Sequence, residues 1–380
     1  MKEEGRRSRW NIRPGTTIAF LAVVGLLEAW ALRAADPDFP LPDFFHGFVL
    51  ALVGLFALSA AVQSRPLRTA LTTLVFALPL GVLLFEVLGA RSDAAQVADR
   101  IAVSDDLLLR YAYRPGAVVQ GGPGGQAPLA VTPDGFLDVA HAVPKPPGVF
   151  RVVVLGDSVP NDLSIPFEKR FPKRLEALVA AGAPPGKRTE VLNVSCEGYN
   201  TIQEVRLLET RGLRYQPDLV VVAYVLNDPF LQNGGYRRVG NSFFAFRLVT
   251  FLPAALGRSS CGLFTGIHSG YGFDLVVRSS FERLRLLSRL HGFRVAVATI
   301  PLVERFDDPD CLACYDKVLG VAREQGFETL RLVDGFRGED HRRFLKRGDP
   351  THPNAAGHER IARQMSDAVL AMSAKTAPAN

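Results

Sequence analysis

Five short runs rich in valine, isoleucine and leucine recur between residue 149 and the C-terminus: Phe150–Leu155, Glu190–Val194, Leu219–Leu226, Phe293–Ile300 and Leu330–Val333. Continuous apolar content without polar alternation predicts strands covered on both faces. The stretches between them, about Glu168–Ala181, Ile202–Arg211, Leu275–His291, Leu312–Gln325 and Asn354–Met372, repeat apolar residues at helical spacing. Strands alternating with helices lead to a parallel sheet, because each parallel neighbour needs a crossover and that crossover is right-handed. Residues 149–373 are therefore expected to form a doubly wound, three-layer α/β/α domain on a parallel five-stranded sheet. In such sheets ligands bind beyond the carboxyl ends of the strands.

Polar clusters stand at those ends. Gly156-Asp157-Ser158 closes the first run, and Asn193-Val194-Ser195-Cys196-Glu197-Gly198 continues the second. Asn227-Asp228 ends the third, and Asp349-Pro350-Thr351-His352-Pro353-Asn354 precedes the last helix. A serine hydroxyl becomes a competent nucleophile when a neighbouring base takes its proton and a third group fixes the base's tautomer. Ser158, His352 and Asp349 fit those roles. The oxyanion formed on attack needs preorganised donors roughly 2.7–3.1 Å from its final position. The backbone N–H groups of Ser158 and Gly198 and the side-chain amide of Asn227 are the candidate set. Asp157 and Asp228 are expected to support the two turns.

In these residues the chain resembles the SGNH (GDSL) hydrolases, named for the serine, glycine, asparagine and histidine of four blocks. The resemblance runs from about Val149 to Met372. It implies a flavodoxin-like domain, an acyl-serine intermediate, ester or acyl-transfer chemistry, and no metal or other cofactor. Within it, Asp349 would orient His352 from the same loop. Two positions depart from the pattern. Val159-Pro160 follows the serine, where a bulkier or hydroxyl residue is usual, and Val225 replaces a glycine often found before the block asparagine. These bear on substrate shape and rate more than on the chemistry.

Ahead of the domain, residues 91–148 carry Tyr113-Arg114-Pro115-Gly116, Thr132-Pro133-Asp134-Gly135-Phe136 and Lys145-Pro146-Pro147-Gly148. They are similar to the lead-in of extracytoplasmic SGNH-like proteins encoded with bacterial polysaccharide genes, where it packs beside the hydrolase core. A turn-rich linker is the other reading.

The chain's 48% hydrophobic content and mean hydropathy of +0.12 owe their excess to the first ninety residues. Three stretches there, Thr16–Leu32, Phe44–Ala61 and Leu67–Leu88, satisfy the length rule for spanning a bilayer, about 20 mostly apolar residues each. Residues 15–90 are therefore expected to be a three-helix transmembrane anchor after a cytoplasmic tail, residues 1–14. A basic start before an apolar run also fits an export signal, but two more such runs follow. Lys2, Arg6, Arg7, Arg9 and Arg13 precede the first helix, Asp36, Asp38 and Asp43 occupy the first loop, and Arg65 and Arg68 the second. The positive-inside rule then places the hydrolase domain outside the cytoplasmic membrane. Residues 374–380 are expected to be a disordered tail.

A net charge of +6 could indicate a nucleic-acid partner, but the basic residues are dispersed among acids instead of forming a stripe with aromatics. Cys311-Leu312-Ala313-Cys314 lacks the second pair that a structural zinc site needs, since Cys196 and Cys261 stand alone. One or two disulfides are open to these cysteines, with connectivity undetermined. Gly182–Lys187 mimics a phosphate loop but precedes a strand, and a G-x-S-x-G elbow is absent. The apolar, glycine-bearing segment 243–271 is a lid or a bilayer contact.

The expected activity is that of a serine esterase removing acyl groups, acetyl foremost, from an envelope or exported polysaccharide. Two alternatives share the site: a polysaccharide O-acetyltransferase, in which a sugar hydroxyl replaces water, and a glycan-binding or assembly scaffold with a silent site. The expected partners are an acylated carbohydrate or other small ester and the membrane, with no nucleic acid.

Overall fold

The computed structural model describes residues 13–33, 41–97, 99–120, 128–184, 186–230, 261–303, 306–346 and 349–374, with backbone alone for 28–33, 41–47, 83, 85–97, 263 and 349–350. The chain divides into two compact units, the first running to Ala94 and the second beginning at Ala95.

The first unit contains α1 (Pro14–Arg33), α2 (Leu41–Ala61) and α3 (Arg65–Val97). Phe20 of α1 stacks on Phe56 of α2, and with Leu52 and Val75 they form a small apolar core. Helices thus form where the apolar runs lie, yet among the described residues none is long and apolar enough to cross a membrane. The third helix opens on Arg65-Pro66-Leu67-Arg68 and includes Pro79. The expected transmembrane anchor is to that extent unsupported.

The second unit is built on a five-stranded sheet. Its strands are β5 (Val149–Gly156), β6 (Arg188–Ser195), β7 (Leu219–Tyr224), β8 (Arg294–Thr299) and β9 (Glu328–Arg331). They are arranged β6-β5-β7-β8-β9, and every neighbouring pair is parallel. Successive residues feed opposite faces. Val153, Leu155, Leu192, Val194, Val220 and Val222 belong to one core; Val152, Val154, Val191, Leu219 and Val221 belong to the other. Burial on both sides explains why these strands read as unbroken apolar runs. Residues of α5 (Thr201–Leu207) and α7 (Ser279–His291) fill the first core. Those of α4 (Phe171–Gly182) and α9 (Ala355–Ala374) fill the second. Two further helices, α6 (Cys261–Ser269) and α8 (Pro309–Glu324), complete the set used below. The last strand lies two residues earlier than its apolar run predicts, ending at Arg331 because Leu332–Phe336 turn into a 3-10 helix.

The lead-in packs against the core of the second unit. Its short pairs, β1 (Ile101–Val103) with β2 (Tyr111–Tyr113) and β3 (Val118–Val119) with β4 (Leu129–Ala130), and the loops beside them send Ile101, Leu109, Tyr111, Val119, Val131, Phe136 and Leu137 into the first core. Polar ties reinforce it. Asp138 pairs with Lys173 at 2.8 Å and accepts the Asn193 N–H at 2.8 Å. The fully buried Arg151 donates to the carbonyls of Ala142 and Tyr215 at 3.0 and 2.8 Å, and to Glu190 at 2.6 Å. A stretch that could have been a linker is thus part of the second unit.

Cys261 and Cys311 form a disulfide joining α6 to α8, while Cys196 and Cys314 are buried free thiols. The Cys-x-x-Cys pair is therefore split between a disulfide and a thiol. Of segment 243–271, residues 243–260 lie outside the described residues.

Candidate functional site

The strand order reverses at β5, which lies between β6 and β7, and the site is assembled at the carboxyl ends of these strands. Gly156, the last residue of β5, pairs in register with Ser195. A Cβ on Gly156 would stand 2.7 Å from Cγ of Pro160, so the chain can fold back over its own strand only with glycine there. Asp157 secures that fold, its Oδ1 accepting the Val159 N–H at 3.2 Å. Ser158 is left half-buried at the tip.

The third strand delivers Asn227 through a turn that Asp228 holds. The Asp228 N–H donates to the Val225 carbonyl at 3.1 Å, and Asp228 Oδ2 accepts the Val225 N–H at 3.3 Å. Asn227 Nδ2 donates to Asp157 Oδ2 at 3.1 Å, and the Ser158 hydroxyl reaches the same oxygen at 3.4 Å. One carboxylate oxygen thus gathers the serine and the amide side by side.

After β6, Gly198 takes φ +72°, a conformation open to glycine at little cost, in a turn closed by the Tyr199 N–H on the Cys196 carbonyl. The lead-in braces this turn. Tyr111 Oη donates to the Glu197 carbonyl at 2.9 Å, and Arg100 Nη2 bonds the Glu197 carboxylate at 3.1 Å.

The fourth block arrives on a hairpin of β10 (Leu345–Lys346) and β11 (Asp349–Pro353), immediately before α9. His352 Nε2 lies 2.8 Å from Ser158 Oγ, across 194 residues of chain. Its Nδ1 stands 3.1 Å from Thr351 Oγ1. With the proton on Nδ1, Nε2 is free to accept the serine O–H. The Asp349 backbone belongs to β11, and its side chain lies outside the described residues.

Behind Asp157 lie two acids that sequence reasoning missed as a group. Glu204 of α5 and Asp228 are both fully buried, and neither Glu204 oxygen has a hydrogen-bond partner. Burial and the nearby Asp157 push Glu204 well above the usual carboxylate range. Burial, Glu204 and Asp157 do the same to Asp228. Both are therefore biased toward their neutral forms. Burial also raises Asp157, against the opposing effect of its bonds to Asn227 and Val159. The signal for Glu204 was available: it precedes Leu207 by three and Leu208 by four, which puts it on the buried face of its helix.

Two other histidines are buried and held neutral. Burial lowers His358 to about 3 and His268 to about 4. His358 Nδ1 accepts the Phe171 N–H at 3.1 Å, and His268 is bonded to Tyr224 Oη at 2.9 Å. Among the described residues no group of His, Cys, Asp and Glu could hold a metal ion.

A serine alcohol bonded to an imidazole, with an amide donor beside it, can attack an acyl carbon and stabilise the resulting oxyanion. Residues 154–360 match the profile of the GDSL-like lipase/acylhydrolase family. The chain belongs to that family. It is an SGNH-type serine hydrolase, and its family segment spans all four blocks. No curated protein matches the chain. Solved structures similar to this hydrolase include TesA, at 16% identity and a TM-score of 0.40 over 58% of this chain and 99% of the other. A lipase/acylhydrolase from Enterococcus faecalis gives 15% identity and a TM-score of 0.39 over 58% and 96%. The acetyl xylan esterase AlAXEase gives 17% and 0.36 over 58% and 100%.

Proposed function

We propose that this SGNH hydrolase is an esterase that removes acyl groups, acetyl foremost, from an envelope or exported polysaccharide through an acyl-serine intermediate. The observation that carries the chemistry is the 2.8 Å contact between Ser158 Oγ and His352 Nε2. In the first step Ser158 Oγ attacks the acyl carbon while its proton passes to Nε2. The carbonyl oxygen becomes an oxyanion and accepts hydrogen bonds from the Ser158 and Gly198 N–H groups and the Asn227 amide. Collapse breaks the ester C–O bond, and His352 returns the proton to the departing sugar oxygen. Water, deprotonated by the same imidazole, then attacks the acyl-serine and releases the free acid. Asp349 is assigned the role of the acid that orients the imidazole and stabilises the imidazolium. Asp157 and Asp228 keep the serine and asparagine turns in place.

The polysaccharide substrate is supported by the resemblance of the lead-in and by its packing on the hydrolase core. An extracytoplasmic location, with the first unit as a membrane anchor, has three supports. A Cys261–Cys311 disulfide suits an oxidising compartment. Ile18, Leu21, Leu26, Leu50, Leu80 and Leu84 are exposed on the first three helices, an apolar surface that lipid would cover. Arginines precede α1 and open α3, which under the positive-inside rule favours an outward second unit.

The test is labelling with a fluorophosphonate, which reacts with an activated serine, alongside acetate release from an acetylated glycan. Wild type should label and release free acetate; Ser158→Ala and His352→Ala should do neither. Acetate release retained in Ser158→Ala would overturn the reading, and acetyl appearing on a second glycan instead of in solution would make the protein a transferase.

A further inference from the structure

The hairpin that carries His352 is joined to the loop behind Ser158 by an ion pair. Lys346 Nζ lies 3.2 and 3.3 Å from the two oxygens of Asp162, and the Asp162 side chain is only 4% exposed. From the serine side, the carboxylate is fixed by its own loop: Asp162 Oδ1 accepts the Ser164 N–H at 2.9 Å and its hydroxyl at 2.6 Å. From the histidine side, Lys346 faces Asp349 across the hairpin, three residues before His352. That hairpin is short and its pairing slips between Leu345 and Lys346, so the backbone ladder alone does not fix the Lys346 end. The other end is held by Asn354, whose Nδ2 donates to the carbonyls of Arg343 and Leu345 at 2.8 and 3.0 Å.

We propose that the Asp162–Lys346 pair is a positioning device for the hydrolytic reaction: it straps the histidine hairpin to the nucleophile loop and so keeps the imidazole in bonding register with the Ser158 hydroxyl. The inference rests on reading Ser158 as nucleophile and His352 as base. Neither Asp162 nor Lys346 touches the reacting atoms. Their effect on rate runs through the placement of His352, where a displacement of about 1 Å costs on the order of 100-fold. Around Asp162 stand Lys346, His352, His358 and Arg170. Around His352 stand Asp157, Asp162 and His358.

The experiment uses the full chain and follows p-nitrophenyl acetate hydrolysis and fluorophosphonate labelling in Asp162→Asn, Lys346→Met, the double variant and Lys346→Arg, beside Ser158→Ala. Each neutralising single variant should lose roughly 10- to 100-fold in kcat and in labelling rate, with KM within about two-fold of wild type. The double variant should be no worse than the poorer single, because the two ends of one strap do not act independently. Lys346→Arg, which keeps charge and reach, should retain activity and shows that position 346 tolerates change. The acid limb of kcat/KM should move in opposite directions. It falls in Asp162→Asn, where Lys346 remains to repel the imidazolium, and rises in Lys346→Met, where the carboxylate remains to attract it. Those shifts follow from the two charges alone, so a pair that did not position the imidazole would show them with kcat near wild type. Wild-type kcat in both single variants, whatever their pH profiles, with Ser158→Ala inactive, would overturn the strap while sparing the nucleophile. Losses that multiply in the double variant would overturn it as well. Wild-type hydrolysis by Ser158→Ala would instead bring down the nucleophile reading itself.

Discussion

The two halves of the site are held in place by different means. Ser158, Gly198 and Asn227 follow β5, β6 and β7, whose residues from Val152 to Leu155, Val191 to Ser195 and Leu219 to Tyr224 are almost wholly buried and locked in parallel register. His352 comes from a hairpin with a two-residue partner strand, tied down by Asn354 and the Asp162–Lys346 pair. The strand half owes its geometry to the same backbone ladder that holds the domain together. The histidine half owes its geometry to a few side-chain bonds. Substitutions on the hairpin should therefore alter rate with little change in stability, whereas those on the strand half should alter both.

The largest separation of rate from stability is expected at His352. Removing the imidazole in His352→Ala should cut kcat by about 10⁴- to 10⁶-fold, as loss of a triad base does, while the urea midpoint stays near that of wild type. A large drop in the midpoint would show that the hairpin contributes to the core after all. Next comes Asn227→Ala, which removes the proposed oxyanion donor, a group worth on the order of 10²- to 10³-fold in kcat. It also deletes the 3.1 Å bond to Asp157, leaving a buried carboxyl with one donor fewer. A stability loss of about 1 kcal/mol should accompany the loss of rate. Equal midpoints for the two variants would erase the distinction between the halves.

The same contrast explains what the sequence makes legible. The strand half is plain because covered parallel strands must be continuously apolar, and because polar residues following such runs have one place to go. The block histidine is legible through its Asp-x-x-His context ahead of the last helix. The bonds that position it are not, because Asp162 and Lys346 stand 184 residues apart and each looks like an ordinary surface charge in its own neighbourhood. The lead-in is hidden for a related reason. Its strands are two or three residues long, too short for a periodic pattern, and the burial of Tyr111, Tyr113 and Leu137 arises from their joining the core on one face of the sheet. Cys261–Cys311 pairs across 50 residues in preference to the nearer Cys311 and Cys314, a choice that depends on where α6 meets α8.

The lead-in's grip on the Gly198 turn gives a smaller prediction on the strand half. Tyr111→Phe removes one bond, the 2.9 Å contact to the Glu197 carbonyl, and leaves the ring packed against Tyr199. Stability should fall by about 1 kcal/mol. If the turn's position matters as much in the transition state, kcat should fall about five-fold. A loss of stability with kcat unchanged would show that the lead-in supports the fold and leaves the oxyanion donors alone.

The smallest effect on rate, and the sharpest on pH dependence, belongs to Glu204. Its carboxyl is buried behind Asp157 with neither oxygen hydrogen-bonded, and its proton affinity is raised by burial first and by the Asp157 charge second. In the unfolded chain it releases its proton near the ordinary glutamate value of about 4.3. Above that pH the folded state holds a proton that the unfolded state has lost, so stability declines as pH rises toward the folded-state value. Glutamine at this position fills the same space and cannot ionise. Glu204→Gln should therefore match wild type in urea unfolding near pH 4 and become progressively more stable than wild type toward pH 8. Asp228, raised in the same sense, stays in place, so the decline should be reduced without vanishing. Parallel stability curves for the two proteins across that range would mean that Glu204 is ionised in the folded state, and that the strand half carries a buried negative charge directly behind its nucleophile.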